Sequence, residues 1–164
     1  MLLLRSLIFT LLGPCLIAGC VPWALGPKHL ASGAWQMGWI LIAVGVAGYF
    51  ICAASFLAAL GTPAIFFTRS LRAVWGEEPR RLVRASLYRY SRNPMYLSVL
   101  TIIFGQACIF ASRAITIYGF AAFVLFHAIV VFVEEPHLRR RDPAAFEQMV
   151  NHTPRWLGKS SSTR

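Results

Sequence analysis

The sequence predicts an all-α integral membrane protein: a four-helix transmembrane bundle with a cytoplasmic loop before the third span and a short C-terminal cytoplasmic helix. Three observations carry this. The 164 residues are 57% hydrophobic and only 13% charged, and a soluble domain this small could not hide so much apolar surface. Apolar runs near the ~20 residues that a helix needs to cross a bilayer core of about 30 Å recur four times. Fourteen of the 16 Lys and Arg residues fall on one side of the resulting chain. One domain, 1–164, is the natural count.

The first span covers about 2–25 and carries Arg5 and Pro14. Pro14 removes a backbone donor and bends this helix, and a neighbouring helix can re-satisfy the freed carbonyl. Ile17-Ala18-Gly19-Cys20 resembles a lipoprotein signal. Such signals release a polar mature domain, whereas this chain crosses the membrane three more times. A retained helix is the reading adopted, with lipidation of Cys20 as the alternative. A short loop, 26–34, makes the second span, 35–60, antiparallel to the first. Its small residues Ala43, Ala47, Ala54 and Ala58 lie at helical spacing and suit close helix contact. Gly61-Thr62-Pro63 ends it.

Between 64 and 92 the composition shifts to Arg, Glu, Pro and aromatics. Residues 66–75 fit a short amphipathic surface helix with Phe67, Leu71 and Trp75 on one face, and 76–79 turn the chain. The next stretch brings Tyr88, Tyr90 and Tyr96 close together, as a pocket wall would or as interfacial aromatic anchors would. The third span, 94–112, and the fourth, 114–133, are uncharged. A short helix over 143–150, an extended turn over 151–156 and a disordered tail over 157–164 complete the chain.

The net charge of +10 fits nucleic acid or membrane, and its distribution decides. Seven arginines lie in the 61–93 segment and six basic residues in the tail, with Arg5 at the start; only Lys28 and Arg113 fall in the opposite loops. The positive-inside rule then places both termini and 61–93 in the cytoplasm. The basic excess reads as topology and attraction to anionic headgroups, so no nucleic-acid partner is required. Cys15, Cys20, Cys52 and Cys108 sit in apolar spans without metal-ligand spacing and read as small hydrophobes in helix contacts. No metal site is expected.

Glu134 and Glu135 close the fourth apolar run, just before the basic cluster 139–141. Carboxylates at a membrane boundary face a bundle interior or a polar cavity, and a pair of anions suits a cationic ligand. His127 precedes Glu134 by seven residues, about 20° from whole helical turns, so the two share a face with Val131 between them. That face is a polar pocket wall or a helix end with solvated carboxylates; spacing alone leaves both open.

Wording adds to spacing. Leu-Val-Arg-Ala-Ser-Leu-Tyr-Arg-Tyr-Ser-Arg-Asn-Pro-Met-Tyr (82–96), Glu-Glu-Pro-His-Leu-Arg-Arg-Arg (134–141) and Thr-Pro-Arg-Trp (153–156) resemble the isoprenylcysteine carboxyl methyltransferase and phospholipid methyltransferase superfamily, in its bacterial integral-membrane branch. Gly61-Thr62-Pro63 and His127 fit the same pattern. The resemblance implies a helical membrane enzyme that uses S-adenosylmethionine. By it, Arg80, Leu82, Val83, Tyr88, Asn93, Pro94 and Tyr96 line the cofactor pocket, Glu134 reaches the cofactor from the other side, and Glu135 is its neighbour. A sulfonium is cationic and adenine stacks on aromatic faces, which suits carboxylates and tyrosines.

The chain departs from that pattern in several places. Asn93 stands where prenylcysteine enzymes carry histidine, and Val130 where they aim an arginine at a substrate carboxylate. Asp142-Pro143 replaces Phe-Gly, and Phe146 and Met149 replace two tyrosines. Cofactor binding survives these changes better than prenylcysteine specificity does. The expectation is an inner-membrane methyltransferase acting on a lipid-soluble acceptor that enters from the bilayer. His127 is the nearest candidate base if the acceptor is an amine or hydroxyl. The alternatives are a membrane reductase of related helical core and a non-catalytic protein that keeps the fold.

Overall fold

The structure, a computed structural model, describes residues 13–26, 33, 35–59 and 86–157. All regular structure among them is helical: α1 (Leu16–Leu25), α2 (Trp35–Ala58), a 3-10 turn (Ser86–Arg89), α3 (Pro94–Phe110), α4 (Arg113–Arg141) and α5 (Pro143–His152). Helix α2, with 24 residues, and α4, with 29, are each long and apolar enough to cross a membrane. Helix α3 has 17 residues, about 26 Å of helix at 1.5 Å per residue, and the described part of α1 is shorter still. The Gly61-Thr62-Pro63 stop, the 66–75 surface helix, the start of span one and the tail from 158 lie outside the described residues.

Helix α3 ends at Phe110, two residues before the expected limit, because Ala111 adopts a left-handed conformation (φ 43°). Ser112 then caps α4, its Oγ accepting from Ile115 N at 3.3 Å. Two residues therefore join α3 to α4 and force them antiparallel. Helix α4 does not stop where its apolar run stops. It passes through a π-helical turn, Val130–Glu134, and continues to Arg141. Pro136 sits just beyond and has no N–H to give to Phe132 O; a widened turn next to a proline is a usual accommodation.

Helix α2 packs along α3 more extensively than any other pair, and here one expectation is corrected. Ala43, Ala47, Ala54 and Ala58 are all exposed. The buried stripe is Gly38, Gly45, Tyr49, Cys52 and Phe56. At Gly38 an added Cβ would stand 2.6 Å from Gly105 O, so the backbones approach as closely as glycine allows. The core continues through Val99, Leu100, Ile103, Ile115, Ala122 and Phe126. Large apolar side chains such as Trp39, Phe50, Ile117, Phe120 and Val124 face outward, where lipid suits them and water does not.

Helix α1 shows how a proline is accommodated, at Pro22 rather than at Pro14, whose freed carbonyl lies outside the described residues. Residues Leu16–Cys20 are π-helical. Pro22 has no hydrogen for Ala18 O or, in π register, for Ile17 O. Gln106 Nε2 of α3 donates to Ala18 O, and Tyr118 Oη of α4 donates to Ile17 O at 2.9 Å. Both orphans are satisfied by neighbouring helices. Cys15 and Cys20 are exposed while Cys52 is buried, so only part of the cysteine set serves helix contacts.

Helix α5 begins at the Asp142-Pro143 pair. Asp142 Oδ1 accepts from Ala145 N at 3.0 Å with Pro143 at the first helical position. The departure from the family pattern thus has a local structural use. The helix runs to His152, two residues past the expected end, and Thr153 turns the chain back towards α3 and α4.

Candidate functional site

The start of α3, the far part of α4, the 3-10 turn and residues 153–156 converge at one end of the bundle. Tyr96, one turn into α3, donates from Oη to Glu134 Oε1 at 2.5 Å, and its ring lies 4.7 Å from that of Phe126. Glu134 Oε2 has no protein partner among the described residues. Tyr88 in the 3-10 turn packs edge-on against Phe56 of α2 at 5.5 Å and donates to the Cys52 thiol. Burial first, then the neighbouring Cys52, Glu134 and Tyr96, push the Tyr88 phenol well above its ordinary pKa. Tyr88, Tyr96 and Glu134, named from the sequence, are therefore brought together, and Cys52, Phe56 and Phe126 join them.

Glu135 turns elsewhere. Its carboxylate takes a bidentate grip from Arg155, Nε at 2.7 Å and Nη2 at 2.9 Å, and Arg92 Nη1 adds a contact at 3.0 Å. Burial lowers the pKa of Arg92, Glu135 opposes that shift and Arg155 adds to it. The hydrogen bonds to Glu135 raise the pKa of Arg155. The adjacent glutamates thus divide their tasks, one held by Tyr96 and the other clamping two arginines.

Asn93 belongs to that clamp. Its Nδ2 donates to Arg155 O at 2.9 Å, Ser91 Oγ donates to the same oxygen at 3.3 Å, and Arg92 N donates to Pro154 O at 2.9 Å. Pro94 is buried at the first position of α3 and sets the helix start. Residues 153–156 are thereby strapped across the entry to α3. Arg92, Arg155 and Trp156 lie inside motifs that the sequence displays, but pairing across some 20 and 60 residues left no local signal.

His127 and Glu134 do not act as one face. The π turn between them carries one extra residue, which rotates Glu134 by roughly 100° relative to a straight α-helix. His127 takes another partner, accepting at Nδ1 from Trp156 Nε1 at 3.0 Å. Arg80, Leu82 and Val83 lie outside the described residues.

The donor set fits a ligand that carries both charges. Glu134 Oε2 offers negative potential to a sulfonium, Tyr88 and Phe56 offer aromatic rings, and Arg92 Nε is a buried donor with no partner among the described residues. Leaving such a donor unmet is costly, so a ligand acceptor is the natural complement. A separate cleft of about 290 Å³ is lined by Val131, Glu135, Pro136, Arg139, Arg140 and Phe146 and shares none of the tyrosines. A family model described as phospholipid methyltransferase matches residues 37–141, from α2 to the end of α4. No curated protein and no solved structure matches the chain.

Proposed function

The chain belongs to the phospholipid methyltransferase family, and on that premise we propose that it is an integral-membrane enzyme transferring a methyl group from S-adenosylmethionine to a lipid-soluble or amphiphilic acceptor. The observation that carries this is the pairing of Glu134 with Tyr96, which aims one oxygen of a carboxylate and leaves the other for a cation. The one-sided distribution of basic residues supports an orientation with both termini cytoplasmic, and the family resemblance supports a four-span chain in a bacterial inner membrane.

The methyl donor supplies an electrophilic carbon on a positively charged sulfur. Glu134 complements that charge while Tyr96 fixes its rotamer. Arg92 Nε–H binds the donor's carboxylate, and Tyr88 with Phe56 forms an aromatic wall for adenine. Arg80, Leu82 and Val83 complete the pocket by resemblance. Glu135, Asn93 and Pro94 serve by holding the strap and the start of α3 in place. Methyl transfer is an in-line displacement, so catalysis is mainly positioning and exclusion of water.

Titration of the detergent-purified protein with S-adenosylmethionine, with NADPH as control, tests this. Glu134→Gln keeps the shape and removes the charge, and binding should weaken about tenfold, ~1.4 kcal/mol. Undiminished binding by Glu134→Gln would make the carboxylate a solvated helix end. Binding of NADPH instead would select the reductase alternative, and binding of neither would select a non-catalytic protein.

A further inference from the structure

Trp156 lies edge to edge and nearly coplanar with His127, ring centroids 6.2 Å apart and planes 25° apart, and Phe123 flanks it at 5.2 Å. The indole is also held from behind. The preceding residue, Arg155, is fixed by Glu135 through its side chain and by Asn93 and Ser91 through its carbonyl. An indole N–H can only donate. The His127 nitrogen that it meets, Nδ1, therefore carries a lone pair, and the neutral ring holds its hydrogen on Nε2. Among the described residues Nε2 meets no acceptor, and it is not fully enclosed, so a ligand can reach it. A donor in such surroundings calls for an acceptor.

We propose that Trp156 is a positioning residue that locks His127 as a neutral imidazole able only to donate towards a ligand, and that His127 holds an oxygen of the amphiphile through Nε2–H instead of serving as the general base. A base at this position needs a free ring lone pair, and Trp156 occupies the one available. The role in the reaction rests on the methyltransferase reading, whereas the tautomer does not.

The test uses the full chain labelled with [15N]histidine in lipid nanodiscs. Nitrogen–proton correlation should show His127 protonated on Nε2 and bare on Nδ1, and Trp156→Phe should turn this into a mixture of tautomers. In a methylation assay with radiolabelled S-adenosylmethionine and an aminophospholipid acceptor, His127→Gln donates from nearly the same place but cannot take a proton. It should retain most turnover where His127→Phe loses about tenfold. Protonation on Nδ1 in the parent, an unchanged tautomer in Trp156→Phe, or His127→Gln as impaired as His127→Phe at an equal thermal midpoint would each overturn the proposal. Absence of turnover in the parent would count against the methyltransferase reading alone, and the tautomer would still decide the Trp156 lock.

Discussion

Gly45→Ala is the sharpest probe of how the two best-packed helices meet. An ideal Cβ there would lie 2.7 Å from both Ser98 O and Ile102 Cγ1, and 3.1 Å from Ile102 N. The isoleucine side chain can turn away, but the Ser98 carbonyl is part of α3 and cannot. Relief requires α2 and α3 to part by about 0.5–1 Å, a gap that forfeits roughly a quarter to a half of each contact across the seam. Overpacking of this kind costs about 1–3 kcal/mol. For a chain of this size the thermal midpoint should fall by roughly 3–10 °C, read by tryptophan fluorescence in detergent. Gly48→Ala should cost less, because its nearest obstacle, at 2.6 Å, is the rotatable Ser98 hydroxyl. Ala47→Leu, on the outward face, should be nearly silent. An unchanged midpoint for Gly45→Ala together with a clear loss for Ala47→Leu would show that α2 is turned the other way and that the alanine stripe is the contact.

Three other outcomes follow from the same end of the bundle. Glu135→Gln should lower stability by about 2 kcal/mol, since it strands the nearly buried Arg92 beside Arg155; a loss below about 0.5 kcal/mol in denaturant titration would mark the clamp as solvated. Tyr88, whose phenol is raised by burial, stays protonated in the folded chain when the unfolded chain ionises near pH 10. Its stabilising contribution is complete below that pH and is lost as pH rises towards the folded pKa. Thermal midpoints between pH 8 and 11 should therefore fall less steeply in Tyr88→Phe, and identical slopes would contradict the burial argument. Val130, only 1% exposed, fills the place where a prenylcysteine enzyme would present arginine, so a carboxylate acceptor would lack a cationic partner. Methylation of an amine-bearing amphiphile should exceed that of farnesylcysteine analogues, and robust turnover of the latter would assign the missing contact to another arginine.

The all-helical class and the two long apolar helices were readable from the sequence because apolar runs and glycine or proline punctuation are local signals. That Tyr96 and Glu134 belong to one site was readable only through wording, since the two residues are far apart in sequence, and their direct hydrogen bond was not readable at all. The inward stripe of α2 was not readable. Glycines and alanines both recur at helical intervals on that helix, and only the partner α3 decides which set is crushed against it. The π turn in α4 escaped for a related reason: Pro136 signals a disturbance but not its geometry. Without that turn, the shared face of His127 and Glu134 was a fair inference from an ideal helix. The role of Glu135 depended on Arg155, which only the fold brings back to it.

The widened turn at Val130–Glu134 has a consequence for what changes in length this helix can absorb. It takes up one extra residue within about the rotation and rise of an ordinary turn, so the half of α4 after it stays in phase with the half before it. Deleting one residue there would restore an ordinary helix and leave the downstream half nearly where it is, whereas a second deletion, with no widened turn left to absorb it, would turn everything downstream by roughly 100° and draw it back by about 1.5 Å. Glu134 would lose Tyr96, Glu135 would lose both arginines, and the apolar half would be untouched. The helix could then still enter a bilayer while the chemistry at its end came apart, which makes these five residues the point where one codon can be lost without effect and a second separates insertion from activity.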